Sequence, residues 1–114
     1  MEIKVKRAYE QPEDADGIRI LVDKFWPRGI SKEKAKIDFW PKALAPSNEL
    51  RKWYCHDSEN WEEFKARYFM ELDSKPEQVK ELEEYLERGE VTFIFSSKEL
   101  QFNNAFALKD YFEK

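Results

Sequence analysis

The sequence has little cysteine, histidine or glycine, and each shortage excludes a class of protein. Cys55 is the only cysteine among 114 residues, so no intrachain disulfide can form, which is typical of a reducing compartment. With His56 as the only histidine, the usual Cys and His ligands of structural zinc cannot be assembled. The glycines at 17, 29 and 89 are widely separated, which argues against the glycine-rich loops of P-loop and Rossmann nucleotide-binding proteins. We therefore expect no metal and no cofactor.

Long apolar runs and an excess of positive charge are also missing. No stretch approaches the roughly 18 apolar residues of a membrane-spanning helix, and the N-terminus alternates apolar with charged residues instead of showing a secretory signal. Twenty Lys and Arg oppose twenty-four Asp and Glu, for a net charge of −4, the wrong sign for attraction to a nucleic-acid backbone. We expect a cytoplasmic protein with neither a membrane nor a nucleic acid as partner.

Aromatic and charged residues are abundant instead, at 16% and 39% of the chain. Aromatic rings supply large buried areas, and the charged residues supply a solvated surface. A chain of 114 residues fits one hydrophobic core. Residues 1–114 are therefore expected to form a single domain.

Three segments have the composition of β-strands. Ile3 and Val5 alternate with lysines, which is typical of a half-buried strand near a sheet edge. Residues 18–22 and 91–95 are almost wholly apolar, which favours central strands covered on both faces. The loop over residues 10–17 is shorter than a crossover helix usually needs. The first two strands are thus expected to be either antiparallel neighbours or non-adjacent.

Helical patterns fill the intervals between the strands and the end of the chain. Ser31 and Ser47 are expected to cap helices at 32–35 and 48–54, and Ser74 to open a capping box with Pro76 in the first turn. Apolar residues at helical spacing predict two longer helices and a last one from about 103 to 112. The predicted fold is α/β, with a small mixed or mostly parallel sheet of three to four strands flanked by about four to five helices.

A polar turn after the second strand predicts one half of a binding site. Asp23 ends the apolar strand and Trp26, Pro27, Arg28 and Gly29 follow. In open α/β sheets, ligands bind outside the carboxyl ends of the strands. Arg28 offers a fork of N–H donors for an anion, Trp26 is a ligand-binding candidate, and Asp23 is a candidate general base or a group that orients Arg28.

The turn after the third strand predicts the other half. Ser96 offers a hydroxyl, Lys98 a point charge, and Asn103 an amide donor. A structural interpretation of both turns stays open, in which Asp23 caps its turn, Trp26 packs in the core, Asn103 caps a helix and Lys98 is merely solvated.

The run Cys55-His56-Asp57 suggests catalysis but has a simpler interpretation. A cysteine in the last turn of a helix feels the negative end of the helix dipole, which disfavours the thiolate. His56 is more simply a group that interacts with the helix terminus. It stays a catalytic candidate for acid–base chemistry because its ordinary pKa lies near neutrality.

The chain resembles the YeaO-like proteins, domain-of-unknown-function family 488. The segments that carry the resemblance are VDKFWPRGI at 22–30, LAPS at 44–47, ELRKW at 49–53, Phe64, Arg67-Tyr68, Glu71-Leu72, and FSSK at 95–98 with Asn103. They occur in order and at matching spacing over nearly the whole chain. The resemblance implies a small bacterial or archaeal cytoplasmic α/β domain with no established activity, so no catalytic residue is carried over from it.

Three positions depart from the family pattern. Lys24 stands where Arg is usual, Cys55 where His is common, and Asn104 where the family often has His. If such a histidine performs acid–base work in relatives, this chain has lost it, which makes simple anion binding the more attractive function.

Two functional hypotheses follow. The first is a domain that binds a small anionic ligand, phosphorylated or carboxylated, at the carboxyl ends of the central strands, and that as an enzyme would be a cofactor-free hydrolase or transferase. The second is a non-enzymatic interaction module in which residues 24–28 and 51–54 form a patch for a partner protein or for a homodimer.

Overall fold

A three-stranded parallel sheet forms the centre of the molecule. The structure, a computed structural model, describes residues 2–55 and 57–113. The strands are β1 (Ile3–Arg7), β2 (Ile18–Leu21) and β3 (Val91–Phe95), in the order β1-β3-β2. Both outer strands pair in parallel with β3. The carboxyl ends of all three strands therefore lie at the same end of the sheet.

The predicted α/β class is confirmed, and so are the edge position of β1 and the non-adjacency of β1 and β2. The expectation that residues 18–22 form a central strand is wrong, because β2 is the other outer strand of the sheet. Its outer side is covered by residues 38–39: the Leu21 amide donates to the Phe39 carbonyl at 3.0 Å, and the Asp38 amide to the Arg19 carbonyl at 2.8 Å. Both faces of β2 are buried, with Ile20 in one apolar cluster and Leu21 in another, which explains an apolar composition that is typical of central strands.

Five helices surround the sheet within the described residues, which also contain three 3₁₀ turns. The helices are α1 (Lys32–Ala35), α2 (Asn48–Tyr54), α3 (Trp61–Asp73), α4 (Pro76–Leu86) and α5 (Asn104–Glu113). The 3₁₀ turns lie at Asp14–Asp16, Lys42–Leu44 and Ser58–Asn60. Outside the undescribed residues 1, 56 and 114, no helix combines the length and apolarity needed to span a bilayer.

Most of the predicted helix starts are confirmed, and one is wrong. The hydroxyls of Ser31 and Ser47 accept from backbone amides in the first turns of α1 and α2. The Ser74 hydroxyl instead donates to the Glu71 carbonyl at 2.6 Å, and the residue before α4 makes no side-chain cap. Ser74 therefore ends α3, and α4 begins at Pro76 because proline tolerates the first helical position, where an amide hydrogen has no partner.

The main core lies between one face of the sheet and helices α2 to α5. Alternate strand residues such as Ile3, Ile20 and Phe93 are fully buried there. They pack with Phe64, Tyr68, Leu72 and Leu108 from the helices. Burial of this one face gives each strand its register, since a shift by one residue would expose the whole apolar set.

The opposite face of the sheet carries a small apolar cluster and a network of charges. Leu21 and Ile94 pack there with Trp26 and Trp40. Further along this face, Asp16 accepts from Arg19 Nη1 at 2.5 Å and from Lys6 Nζ at 3.1 Å, and Lys6 also contacts Glu13 at 2.8 Å. We call Lys6, Glu13, Asp16 and Arg19 the ion network; it pins the loop between β1 and β2 onto the sheet.

Candidate functional site

A cleft of about 650 Å³ opens at the carboxyl ends of the three strands. Tyr9 follows β1, Asp23 follows β2, and Ser96 and Ser97 follow β3, and all four line the cleft. The two predicted turns therefore do face one hollow, as expected for parallel strands that end at the same edge. Helices α2, α3 and α5 complete its walls through Arg51, Tyr54, Phe64 and Asn104.

Asp23 joins the ends of β2 and β3 to the start of α5. Its Oδ2 accepts from the Ser96 amide at 2.8 Å and from the Ser96 hydroxyl at 2.7 Å. Its Oδ1 accepts from Asn104 Nδ2 at 3.0 Å, and the same amide group donates to the Val22 carbonyl at 3.1 Å. A half-buried carboxylate with three donors is held in one orientation. Asp23 thus positions the floor of the cleft.

Arg7 holds the turn after β3 from the other side. Its Nε donates to the Ser97 carbonyl at 2.9 Å and its Nη2 to the Ser96 carbonyl at 3.0 Å. Because the guanidinium is a rigid planar fork, two such bonds restrain both the position and the tilt of this turn.

The turn after β2 is braced by tryptophan side chains. The indole nitrogen of Trp26 donates to the Ile30 carbonyl at 2.6 Å, and that of Trp40 to the Asp23 carbonyl at 2.7 Å. The two rings meet edge to face, with centroids 5.5 Å apart. Gly29 has φ of 77°, a left-handed conformation that glycine adopts without strain. Trp26 also lines the cleft, and its N–H is already bonded within the turn.

Three cations line the cleft without a carboxylate partner in the described ranges. Lys24, Arg28 and Arg51 line it together with one acidic residue, Asp23, and none of the three forms an ion pair with any carboxylate in residues 2–55 and 57–113. The cleft lining therefore carries an excess of two positive charges in a protein of net charge −4. A cleft with one sign of charge raises the local concentration of oppositely charged solutes.

Exposed aromatic rings form another part of the lining. Phe25 is 59% exposed with the Arg51 guanidinium 5.4 Å from its ring centre. Tyr9 is 49% exposed with the Arg7 guanidinium at 4.9 Å, and its hydroxyl donates to the Arg28 carbonyl at 3.1 Å.

Tyr54 is by contrast a buried part of the wall. Its hydroxyl donates to the Phe102 carbonyl at 2.8 Å. Burial, together with the negative charges of Glu99 and Asp57, raises the pKa of Tyr54 to about 12. The phenol therefore stays neutral at physiological pH and does not reduce the positive charge of the cleft.

The structure brings together four of the seven residues that the sequence singled out. Asp23, Trp26, Arg28 and Ser96 line the cleft. Lys98 is exposed and lies outside the lining.

Asn103 also lies outside the lining and is fully buried. Its Oδ1 accepts from the Phe106 amide at 3.1 Å and its Nδ2 donates to the Glu99 carbonyl at 2.7 Å. Asn103 therefore has the predicted capping role at α5, and both ends of its side chain are occupied by protein groups.

The Cys55-His56-Asp57 run is only partly described. His56 lies outside the described residues. Cys55 ends α2 in a left-handed conformation with φ of 46°, and its thiol donates to the Lys52 carbonyl at 2.7 Å. The Asp57 carboxylate caps the 3₁₀ turn before α3 by accepting from the Glu59 amide at 3.1 Å. Cys55 and Asp57 thus have helix-terminal roles.

Sequence reasoning missed Asn104, Arg51, Phe25 and Tyr9 as parts of the site. For Asn104, the available signal was its departure from the family pattern one residue beyond the predicted cap. For Arg51 and Phe25 the signal was weaker, since they were noted only as parts of basic and aromatic segments. Nothing near Tyr9 in sequence marks it, because its place depends on the parallel pairing of β1 with β3.

Within the described ranges, no group of three or more His, Cys, Asp or Glu side chains is arranged to hold a metal ion. The donors in the cleft are guanidinium, ammonium, hydroxyl and amide groups, with a single carboxylate. This set matches the needs of an anion rather than those of a cation.

Comparison with known proteins relates the chain to one family. A family model described as the inactive DUF488-N3 subclade matches residues 2–114. The uncharacterized protein YeaO of Escherichia coli is 37% identical over 111 residues, which cover 97% of this chain and 96% of the relative. The uncharacterized protein Rv3073c of Mycobacterium tuberculosis is 38% identical over 106 residues, 93% of this chain and 89% of the relative. No solved structure matches the chain.

Proposed function

The chain belongs to the YeaO-like DUF488 family, and from this premise we propose that it is a single, non-enzymatic cytoplasmic domain that binds a small anionic ligand in the cleft. Arg28, Arg51 and Lys24 neutralise the ligand's charge. The Ser97 hydroxyl, whose oxygen accepts from the Glu99 amide at 3.0 Å, donates a hydrogen bond to the ligand. A chain whose single cysteine cannot form an intrachain disulfide fits a reducing compartment.

The observation that carries the proposal is the set of three unpaired cations around one hollow. This chain has four more acidic than basic residues, yet the lining of the cleft carries three cations and one carboxylate. That Lys24, Arg28 and Arg51 nevertheless line one cleft without an ion pair in the described ranges supports an anion as their partner. Two guanidinium forks offer the planar donor pairs that suit phosphate and carboxylate oxygens.

Binding is favoured over catalysis by the polar side chains that line the cleft. The Asp23 carboxylate already accepts from three donors, so its role in this proposal is positioning. Asn104, at the position where the resemblance to the YeaO-like family implies a frequent histidine, is an amide and cannot transfer protons at neutral pH. The matching family model describes an inactive subclade, which agrees with this choice. Proton transfer by Asp23 or His56 stays a prediction.

A thermal-shift panel of phosphates and carboxylates tests the proposal. The panel contains inorganic phosphate, methyl phosphate, phenyl phosphate, acetate and benzoate. A ligand at about 100 times its Kd raises Tm of a domain this size by roughly 10 °C. Arg28→Ala should remove this shift while leaving the far-UV circular dichroism spectrum unchanged, and added salt should weaken it.

Arg88→Ala is the matched control, because Arg88 is also exposed but follows α4 and lies beyond the opposite end of β3. It removes the same charge and should leave the shift intact. If no member of the panel stabilises the wild-type protein, or if Arg88→Ala acts as strongly as Arg28→Ala, specific anion binding in the cleft is refuted.

A second candidate, an interaction surface for a partner or a homodimer, is favoured by the contact between its two predicted segments. The Arg51 guanidinium lies 5.4 Å from the Phe25 ring centre, which joins residues 24–28 to residues 51–54. This hypothesis expects concentration-dependent association in sedimentation velocity, lost in Phe25→Ala. A monomer at every concentration would leave anion binding as the function that the cleft supports.

A further inference from the structure

We propose that the anion recognised by the cleft carries its charged group on an aromatic ring, as an aryl phosphate or an aryl carboxylate does. This inference rests on the proposed function, since it specifies the ligand of the same cleft. It makes a separate claim about the uncharged part of the ligand. Two features carry it: the size of the cleft and the exposed aromatic rings in its lining.

The cleft is too large for a compact anion alone. Its volume is about 650 Å³, whereas a tetrahedral inorganic anion takes the space of only a few water molecules at roughly 30 Å³ each. Pockets of roughly 300–1,000 Å³ usually hold organic ligands and bury most of their surface. A ligand that fills this cleft therefore has a substantial body beyond its charged group.

The lining favours a flat, unsaturated body. Phe25 and Tyr9 remain 59% and 49% exposed, although each already has a guanidinium within cation–π distance of its ring. A ligand that covers exposed apolar area binds with a more favourable free energy. Contact between aromatic rings makes binding more favourable than the buried area alone would. Arg51 can contact the ligand's charged group while its guanidinium lies over the Phe25 ring. The ligand's charged group and its aromatic ring would then be bound by neighbouring side chains.

Another arginine–aromatic pair shows that stacking alone does not define such a site. The Arg67 guanidinium lies 4.2 Å from the Trp53 ring centre, and Trp53 is 36% exposed. Arg67 is paired with Glu63, however, and neither Trp53 nor Arg67 lines the cleft. What distinguishes Phe25 and Arg51 is their shared place in a hollow with unpaired cations, which makes Trp53 a matched control.

Isothermal titration calorimetry with paired ligands tests the inference. Phenyl phosphate is compared with methyl phosphate, and benzoate with acetate, so that each pair keeps its charged group and differs in the ring. We expect the ring to tighten binding by about tenfold in at least one pair. Which pair responds identifies phosphate or carboxylate as the charged group.

Phe25→Leu should reduce the preference for the ring, measured as the ratio of the two affinities within a pair, to threefold or less. Trp53→Leu should keep the full preference. Both positions are exposed, and far-UV circular dichroism verifies that each variant is folded.

The outcomes separate this inference from the proposed function. Equal affinities within both pairs would overturn the aromatic ligand while anion binding stands. A ring preference that survives Phe25→Leu unchanged would overturn the assigned recognition surface. Failure of all four ligands to bind would overturn both proposals.

Discussion

The ion network and the cleft use the same kinds of side chain in opposite ways. In the ion network, Lys6 and Arg19 contact Asp16, which is only 5% exposed. In the cleft, Lys24, Arg28 and Arg51 face solvent or the hollow without a carboxylate partner in the described residues. The first arrangement ties a loop to the sheet, and the second leaves charge available to a ligand.

The difference shows that pairing and burial, rather than residue type, decide what a cation does. A buried charge must be paired, because leaving it alone in a low dielectric is costly. An exposed cation tolerates the lack of a partner at little cost. The protein can therefore keep unpaired cations only where water or a ligand reaches them, and the cleft at the carboxyl ends of the strands is one such place.

The largest effect on stability is expected from Asp16→Asn, which removes the buried carboxylate of the ion network. Loss of the carboxylate leaves Arg19 uncompensated, and Nη2 of Arg19 already lacks a hydrogen-bond partner within the described residues. Removal of one partner from a buried ion pair costs about 3–5 kcal/mol. Urea denaturation should show a loss of this size in the free energy of unfolding.

The loss should depend on pH in a defined direction. Burial alone would raise the pKa of Asp16, but hydrogen bonds from the Glu13 amide, Lys6 and Arg19 lower it below its ordinary 3.8. Its contribution to stability is therefore complete above pH 3.8 and is lost as the pH falls through the lower folded value. The difference between wild type and Asp16→Asn should shrink below pH 3.8. A difference that stays constant there would contradict this account.

A smaller effect is expected from Asp23→Ala, which removes the link between the strand ends and α5. The substitution leaves the Ser96 amide and the Asn104 amide group without their acceptor. Since hydrogen bonds to a charged group contribute about 1.5–3 kcal/mol, we expect the free energy of unfolding to fall by about 2 kcal/mol in urea denaturation. Asp110→Ala removes only an exposed ion pair, with an expected cost below about 1 kcal/mol. Equal losses would rule out a positioning role.

The smallest effect on stability is expected from Arg51→Gln, which replaces an exposed cation of the cleft. Arg51 is exposed and forms no ion pair with a described carboxylate, so the free energy of unfolding should change by less than about 0.5 kcal/mol. Arg19→Gln makes the same chemical change at a buried, paired position and should cost several times more in the same urea titration. Similar costs for the two variants would erase the distinction between the ion network and the cleft.

Local patterns were sufficient for much of the fold. Ser31, Ser47 and Pro76 mark helix starts because capping depends on neighbouring backbone groups. Ser74 shows the limit of this reasoning, since its hydroxyl is equally able to cap the helix before it. β2 was wrongly predicted to be a central strand because its side chains are buried on both faces, and an outer strand buried in this way has the same apolar composition as a central one.

The site was predicted in part, for similar reasons. Asp23, Trp26, Arg28 and Ser96 could be found because each lies in or next to a polar turn after an apolar strand. Lys98 also follows an apolar strand but lies outside the lining of the cleft. The side chain of Asn103 accepts from the Phe106 amide and caps its own helix. Arg51 and Tyr9 reach the cleft through contacts between distant segments, which single-sequence patterns do not report.

The sequence by itself determined the α/β class, the positions of most helix starts, and the presence of polar turns after two apolar strands. These follow from side-chain periodicity and from interactions between near neighbours in the chain. Only the tertiary structure decided which cations are paired and which line the cleft. Ion pairs such as Lys6 with Asp16, and the convergence of Arg28 with Arg51, depend on parallel strand order and helix packing, which bring together residues that are distant in sequence.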